Sequence, residues 1–249
     1  MAGARFDALR TAAQAFLGGL GPGDRATLVT FSHRVRLETA VGVAAADAQA
    51  ALARTQPGGG TALLDGVLSA VALADRRHGR PVVLVFSDGA DEVSWLSEER
   101  LRAVVRETQG VVHAVAVVAA GDDARRAVRA ELDAEGRTAR ERDSSGAVGT
   151  RDSEREFDMQ MRAGTWRRRD ADIPPVLAAI ASETGGEVWR AESDAALGRA
   201  FADALAEVRS RYVLRFEPEG GQPGEWRELR VKVKGGRGDV RGRKGFRVR

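Results

Sequence analysis

Two apolar runs constrain this chain more than any other feature: "PVVLVF" at 81–86 and "VVHAVAVVA" at 111–119. The five consecutive apolar residues from Val82 to Phe86 are too few for a helix. They suit a strand covered on both faces, as in a parallel sheet. Between the runs, "SEERLRAVVRETQG" reads as a helix with Ser97 in a capping position and Arg100 where a capping box normally has Glu. Strand, helix and strand in alternation predict an α/β fold: a doubly wound, mostly parallel sheet with helices on both faces.

The flanking segments extend the pattern. "MAGARFDALRTAAQAFLGGL" places Phe6, Leu9, Ala13, Phe16, Leu17 and Leu20 on one helical face. "GPGD" breaks the chain, and "RATLVTFS" and "RVRLETAV" then predict two neighbouring strands joined by a tight turn at His33 and Arg34. "AADAQAALART" is weakly helical and "PGGG" stops it. "TALLDGVLSAVALADRR" begins a strong helix with Thr61 at its N-terminal boundary, where a hydroxyl can cap free N–H groups. Later, "PPVLAAIASETGG" reads as a helix stopped by Gly185 and Gly186, "EVWRA" as a short strand, and "SDAALGRAFADALAEVRS" as a helix capped by Ser193 or Asp194. "RYVLRFEP" and "EWRELRVKVKGGRGDVRGRKGFRVR" read as strands separated by Gly-rich turns.

Residues 121–171, dense in Asp, Glu and Arg, have almost nothing to bury and read as a charged, mobile insertion. The expected organisation is one domain over 1–216 containing that insertion, followed by a basic C-terminal β-hairpin extension over 217–249. The chain has 249 residues, is 43% hydrophobic and carries a net charge of +3. The segment from Glu217 onward alone carries +5, so the basicity sits in the tail. Its basic residues alternate along predicted strands and its only aromatic residues are Trp226 and Phe246, so a solvated strand face is favoured over nucleic-acid binding. Arg237-Gly238-Asp239 matches an adhesion tripeptide, a weak signal in a chain rich in Arg and Gly.

Composition excludes several chemistries. The chain has no cysteine, so disulfides, thiolate metal sites and cysteine nucleophiles are absent. No apolar run approaches the roughly 18 residues that a bilayer span needs, and the first residues lack a signal-peptide pattern. No Gly-x-Ser-x-Gly surrounds Ser32 or Ser87, which disfavours a Ser-His-Asp hydrolase built with His33, His78 or His113. No phosphate-binding Gly-x-x-x-x-Gly-Lys loop is present either. What remains is the carboxyl edge of the predicted sheet, where open parallel sheets bind ligands. Thr61 after "PGGG" and Asp88 in "VFSDG" both fall there, a hydroxyl and a carboxylate suited to a hard cation such as Mg²⁺. Asp65 and Asp91 lie nearby, as supporting groups or as solvated carboxylates.

"GDRATLVTFS", "GGGTALLDGV" and "VFSDGADEVS" resemble the von Willebrand factor A-like domain. "IASETGGEVWRAESDAALGRAFADALAEVRSRYVLRFEP" and "RKGF" resemble a bacterial branch of it, best known from Acidobacteria. The resemblance implies a non-enzymatic module that binds a protein partner through a metal-ion-dependent adhesion site. A partner carboxylate there completes the sphere of a bound Mg²⁺ or Mn²⁺. Family members take ligands from an Asp-x-Ser-x-Ser loop, a Thr and an Asp. The Thr matches Thr61 and the Asp matches Asp88, while the Asp-x-Ser-x-Ser loop has no counterpart in the sequence. Met1 aligns with the Met that follows that loop, which implies either a start placed too far downstream or a truncated gene. The rest of the sequence keeps its pattern, which favours the first.

The expected consequences are two strands, one on each side of the absent one, left with unpaired backbone groups or forced together, with low stability and weak or absent metal binding. Export leaders among relatives imply that an intact form is periplasmic or extracellular. The competing reading is a metal-dependent hydrolase using Asp88, or an anionic-surface binder using the tail. The insertion follows a strand whose carboxyl end shares the edge with Thr61 and Asp88, so it is placed to fold over that edge.

Overall fold

The computed structural model describes residues 4–76, 81–87, 91–118, 174–214, 216, 219–235 and 240–248. The predicted insertion, Asp88, His78 and the Arg237-Gly238-Asp239 tripeptide lie outside the described residues. But for Val118, the described residues fall in one compact unit, Met1–Val117 with Ile173–Arg249.

The expected parallel sheet is present. Strands β3 (Val82–Ser87), β4 (Val111–Val117) and β5 (Val188–Ala191) run parallel in the order β3-β4-β5. Val82 pairs with Val111 and Ser87 with Ala116, while Ala114 pairs with Val188. Side chains alternate across the strands and build one core on each face. On the first face, Val83, Val85, Val112, Ala114 and Ala116 pack under helices α3 (Leu63–Ala74), α4 (Glu98–Glu107) and α5 (Pro175–Thr184). On the second, Leu84, Phe86, Val115 and Val117 pack under α1 (Ala4–Gly18) and α6 (Asp194–Ser210), with Phe86 stacked on Phe201 at 5.4 Å. Helices on both faces make the fold doubly wound, as the sequence pattern requires.

Local signals fix the helix ends. Ser97 Oγ accepts from Arg100 N–H, so the predicted cap forms with Arg in the third position. Ser193, rather than Asp194, caps α6 by accepting from Ala196 N–H. Helix α5 stops at Gly185, whose φ of 77° is left-handed. A Cβ on the next residue, Gly186, would lie 1.9 Å from Val112 O, so only glycine lets the chain pass beneath β4.

The second sheet is separate. Strands β1 (Val29–Phe31) and β2 (Val35–Leu37) form the predicted antiparallel pair around the His33–Arg34 turn, beyond which lies α2 (Ala45–Ala53). Among the described residues, strand β1 pairs only with β2, and β3 only with β4. Helix α3 packs against both, with Phe31 and Val83 touching the same helical core.

The C-terminal residues form less strand than expected. Only β6 (Trp226–Glu228) and β7 (Gly245–Arg247) pair, antiparallel. Arg211–Leu214, read as a strand from its alternation, has no ladder, and Tyr212 is 92% exposed. A strand needs a neighbour for its backbone groups, and none of the described elements offers one. The basic residues near β7 are partly exposed and also form ion pairs and hydrogen bonds. Arg247 pairs with Glu107, Arg241 with Glu187 and Glu207, and Arg243 donates to Arg106 O at 2.9 Å. Beneath them the buried Glu183 carboxylate accepts from Arg106 at 3.0 Å and Arg102 at 3.2 Å. The Arg106 hydrogen bond holds its pKa below the usual carboxylate range.

The α3–β1 contact rests on an absent side chain. A Cβ on Gly66 would meet the Phe31 ring at 2.7 Å. Gly66→Ala is therefore expected to destabilise the fold by about 1–3 kcal/mol, although Ala is better by about 1 kcal/mol inside a helix. Urea denaturation reads this directly, and Phe31→Leu should restore part of the loss. A stabilised Gly66→Ala would show that β1 does not pack on α3 as described.

Candidate functional site

The edge picked out by sequence is built around the N-terminus of α3. Thr61 does not cap that helix. The N-cap position is Ala62, whose side chain has no acceptor, and the helix starts at Leu63. The free N–H groups of the first turn are satisfied from the loop after β3. Asp91 Oδ1 accepts from Leu64 N–H at 3.3 Å and Ser94 Oγ from Asp65 N–H at 3.2 Å. Ser94 in turn donates to Asp91 at 2.6 Å. Carboxylate and hydroxyl from another segment do what Thr61 was expected to do, and negative charge there also suits the helix dipole.

Thr61 is instead held through its backbone. Its N–H donates to Glu92 Oε2 at 3.0 Å, and its carbonyl accepts from Glu92 N–H at 2.8 Å and Val93 N–H at 3.3 Å. Its hydroxyl makes no hydrogen bond among the described residues. Thr61 is thus fixed through its backbone on both sides, while its hydroxyl has no partner among the described residues. The Glu92 anchor escaped the sequence reading because nothing local marks a contact thirty-one residues away.

Asp65 and Asp91 are occupied structurally. The Asp65 carboxylate accepts from Trp95 N–H and Leu96 N–H, each at 3.0 Å, and pins the loop to α3. Among the described residues no group of three or more His, Asp or Glu is placed to hold a metal ion. Ser87 is buried at the end of β3. The loop anchored by Asp65 presents Trp95 at 97% exposure, a feature the sequence reading passed over. An aromatic residue inside the acidic stretch "DEVSWLSEE" was the available signal.

Two of the three histidines are described. Ser32 Oγ lies 3.4 Å from His33 Nδ1 in an exposed turn, with no third group orienting the ring among the described residues. His113 is 1% exposed in β4. Its Nδ1 accepts from Glu187 N–H at 3.0 Å, and its ring stacks on Trp189 at 5.2 Å. Burial, then the charges of Arg211 and Arg241, lower its pKa to about 4. This is a neutral core histidine with no serine beside it.

Residues 1–90 match the family model described as von Willebrand factor type A domain. The chain resembles the solved structure of a von Willebrand factor type A protein from Catenulispora acidiphila. That match has 16% identity and a TM-score of 0.51, and covers 84% of this chain and 39% of that one. It also resembles proximal thread matrix protein 1 from the mussel byssus, solved with a zinc-occupied MIDAS motif: 18% identity, TM-score 0.49, 80% of this chain and 39% of that one. A third likeness is to the conserved hypothetical protein BatB from Bacteroides thetaiotaomicron, with 13% identity, TM-score 0.48, and coverage of 83% and 89%. This chain thus spans about two fifths of the length of the first two structures. No curated protein matches the sequence at a significant level. At 16% identity and a TM-score of 0.51, the first of these likenesses shows the fold alone: that of von Willebrand factor type A domains.

The depressed His113 pKa sets a pH dependence. The folded state resists protonation that the unfolded chain accepts near 6.5, so stability from neutral His113 is complete above that value. It falls between pH 6.5 and about 4, by up to about 3 kcal/mol. Glu183 keeps its full contribution above the ordinary carboxylate value of 4.5 and loses it as the pH falls below that, so the loss between pH 6.5 and 4.5 reports His113. Urea denaturation across pH should show the loss in wild type and a flatter slope in His113→Asn, which keeps an acceptor for Glu187 N–H. Equal slopes would remove His113 as the cause.

Proposed function

We propose that this chain is a protein-binding module and not an enzyme, a reading supported by the match of residues 1–90 to the family model described as von Willebrand factor type A domain. It engages its partner at the edge that carries Thr61. The observation that carries the reading is the Thr61 hydroxyl, free among the described residues while its backbone is clamped by Glu92 and Val93. A hydroxyl held so can ligate an ion or meet a partner without first being ordered, which lowers the entropic cost of binding.

Thr61 and Asp88 are the residues of this sequence that would hold Mg²⁺ or Mn²⁺. When bound, the cation supplies the positive charge that attracts a carboxylate of the partner. The described part of the edge fits that role incompletely. Thr61 offers one neutral oxygen, whereas Asp65 and Asp91 already accept backbone and hydroxyl protons. Tight cation sites need more oxygen ligands and more negative charge than this. In this chain, therefore, the cation contact is weak.

No helix among the described residues is long and apolar enough to cross a membrane. Export, inferred from family resemblance alone, remains part of this proposal.

Titration with Mn²⁺, read by water-proton relaxation, is expected to show binding no tighter than about 10⁻³ M and weaker still in Thr61→Ala. Micromolar affinity would contradict the incomplete site. The same samples should not hydrolyse p-nitrophenyl esters or phosphates. Turnover lost in Thr61→Ala would replace the binding module with the metal-dependent hydrolase.

A further inference from the structure

The loop from Asp91 to Glu99 holds its aromatic residue out in solvent on a fixed backbone. Glu92 and Val93 donate to Thr61 O, Trp95 and Leu96 donate to Asp65, and Ser94 bridges Asp91 and the α3 N-terminus. A loop tied at five successive residues has little freedom to fold its indole away, and Trp95 remains 97% exposed. Around it the segment carries Asp91, Glu92, Glu98 and Glu99 and no Lys or Arg. Glu98 and Glu99 are exposed and form no ion pair among the described residues. A fixed, exposed Trp with an acidic rim is the composition of an interface anchor.

A complementary surface lies on the same chain. Arg230, Lys232 and Lys234 are exposed and, unlike Arg241 and Arg247, form no ion pair among the described residues. Between the two lysines Val233 is 62% exposed. The alternation Arg-Val-Lys-Val-Lys has the pattern of a strand, yet it lies in the connection between β6 and β7 and has no ladder among the described residues. Cations beside an aliphatic side chain are what an indole with an acidic rim attracts, since a Trp face binds ammonium and guanidinium groups and the carboxylates add long-range attraction. No hydrogen bond or ion pair joins the two segments within one copy among the described residues.

We infer that the chain associates head to tail with itself, the Trp95 loop of one copy seating on the Arg230–Lys234 segment of a second copy. The two surfaces differ, so the contact is heterologous and can continue from copy to copy. It uses neither Thr61 nor Asp88 and stands apart from the metal-dependent reading.

Sedimentation velocity of the full chain tests this at about 0.05 M and about 0.5 M salt. Wild type should associate with rising concentration at low salt and less at high salt. Trp95→Ala and the double variant Lys232→Glu/Lys234→Glu should each weaken association by about tenfold or more. Both alter exposed side chains, so unchanged circular dichroism and melting are expected. Mixing the two variants should restore a dimer that grows no further, because the first retains the basic segment and the second the Trp loop. Chelator and Thr61→Ala should leave association unchanged, which separates this result from the fate of the adhesion site. Wild type that stays monomeric at about 0.1 mM, association that survives both substitutions, or a mixture that stays monomeric would overturn the proposal.

Discussion

The packing of α3 against two separate sheets is the constraint on which the rest of the structure depends. Phe31 of β1 lies against the bare backbone of Gly66, while Leu63, Leu64, Val67 and Val71 of the same helix pack in the core that covers Val83 and Val85. No strand pairing crosses between β1 and β3. Hydrogen bonds between strands are directional and cooperative, whereas helix-to-sheet packing is an apolar contact that tolerates small shifts. The two halves are therefore joined by the less directional kind of interaction.

The same helix organises the candidate site. Its N-terminus needs acceptors, and Asp91 and Ser94 supply them, which draws the loop after β3 over the start of α3. Asp65, one turn in, pulls the loop from the other side through Trp95 and Leu96. Thr61 is then caught between the helix start and Glu92, with its hydroxyl left over. Helix capping thus shapes the edge that carries Thr61, and it engages two of the nearby carboxylates, Asp65 and Asp91, in hydrogen bonds.

The parallel sheet was legible because Val82–Phe86 and Val111–Val117 are apolar at nearly every position, a pattern that a strand with one wet face cannot carry. Ser97, Ser193 and Gly185 marked helix ends because caps act over three or four residues, within reach of local reading. Thr61 misled as a cap because the acceptors that replaced it come from residues 91 and 94, far along the chain. Tyr212–Leu214 misled because alternation reports a preference for extended backbone and says nothing of whether a neighbour exists. The roles of Arg241, Arg243 and Arg247 were likewise invisible, since their partners lie on α4, α6 and the turn before β5.

The separation of the two sheets is tested most directly by amide hydrogen exchange along β3 and β4. Strand β4 is flanked by β3 and β5, so nearly all amides of Val111–Val117 should exchange slowly. Among the described residues strand β3 has a neighbour on one side only, so the amides of Val82–Phe86 that point away from β4 should exchange much faster than those that point toward it. Uniform protection of Val82–Phe86 at the level of β4 would mean that another strand pairs with β3, and it would contradict the account of α3 as the link between two separate sheets.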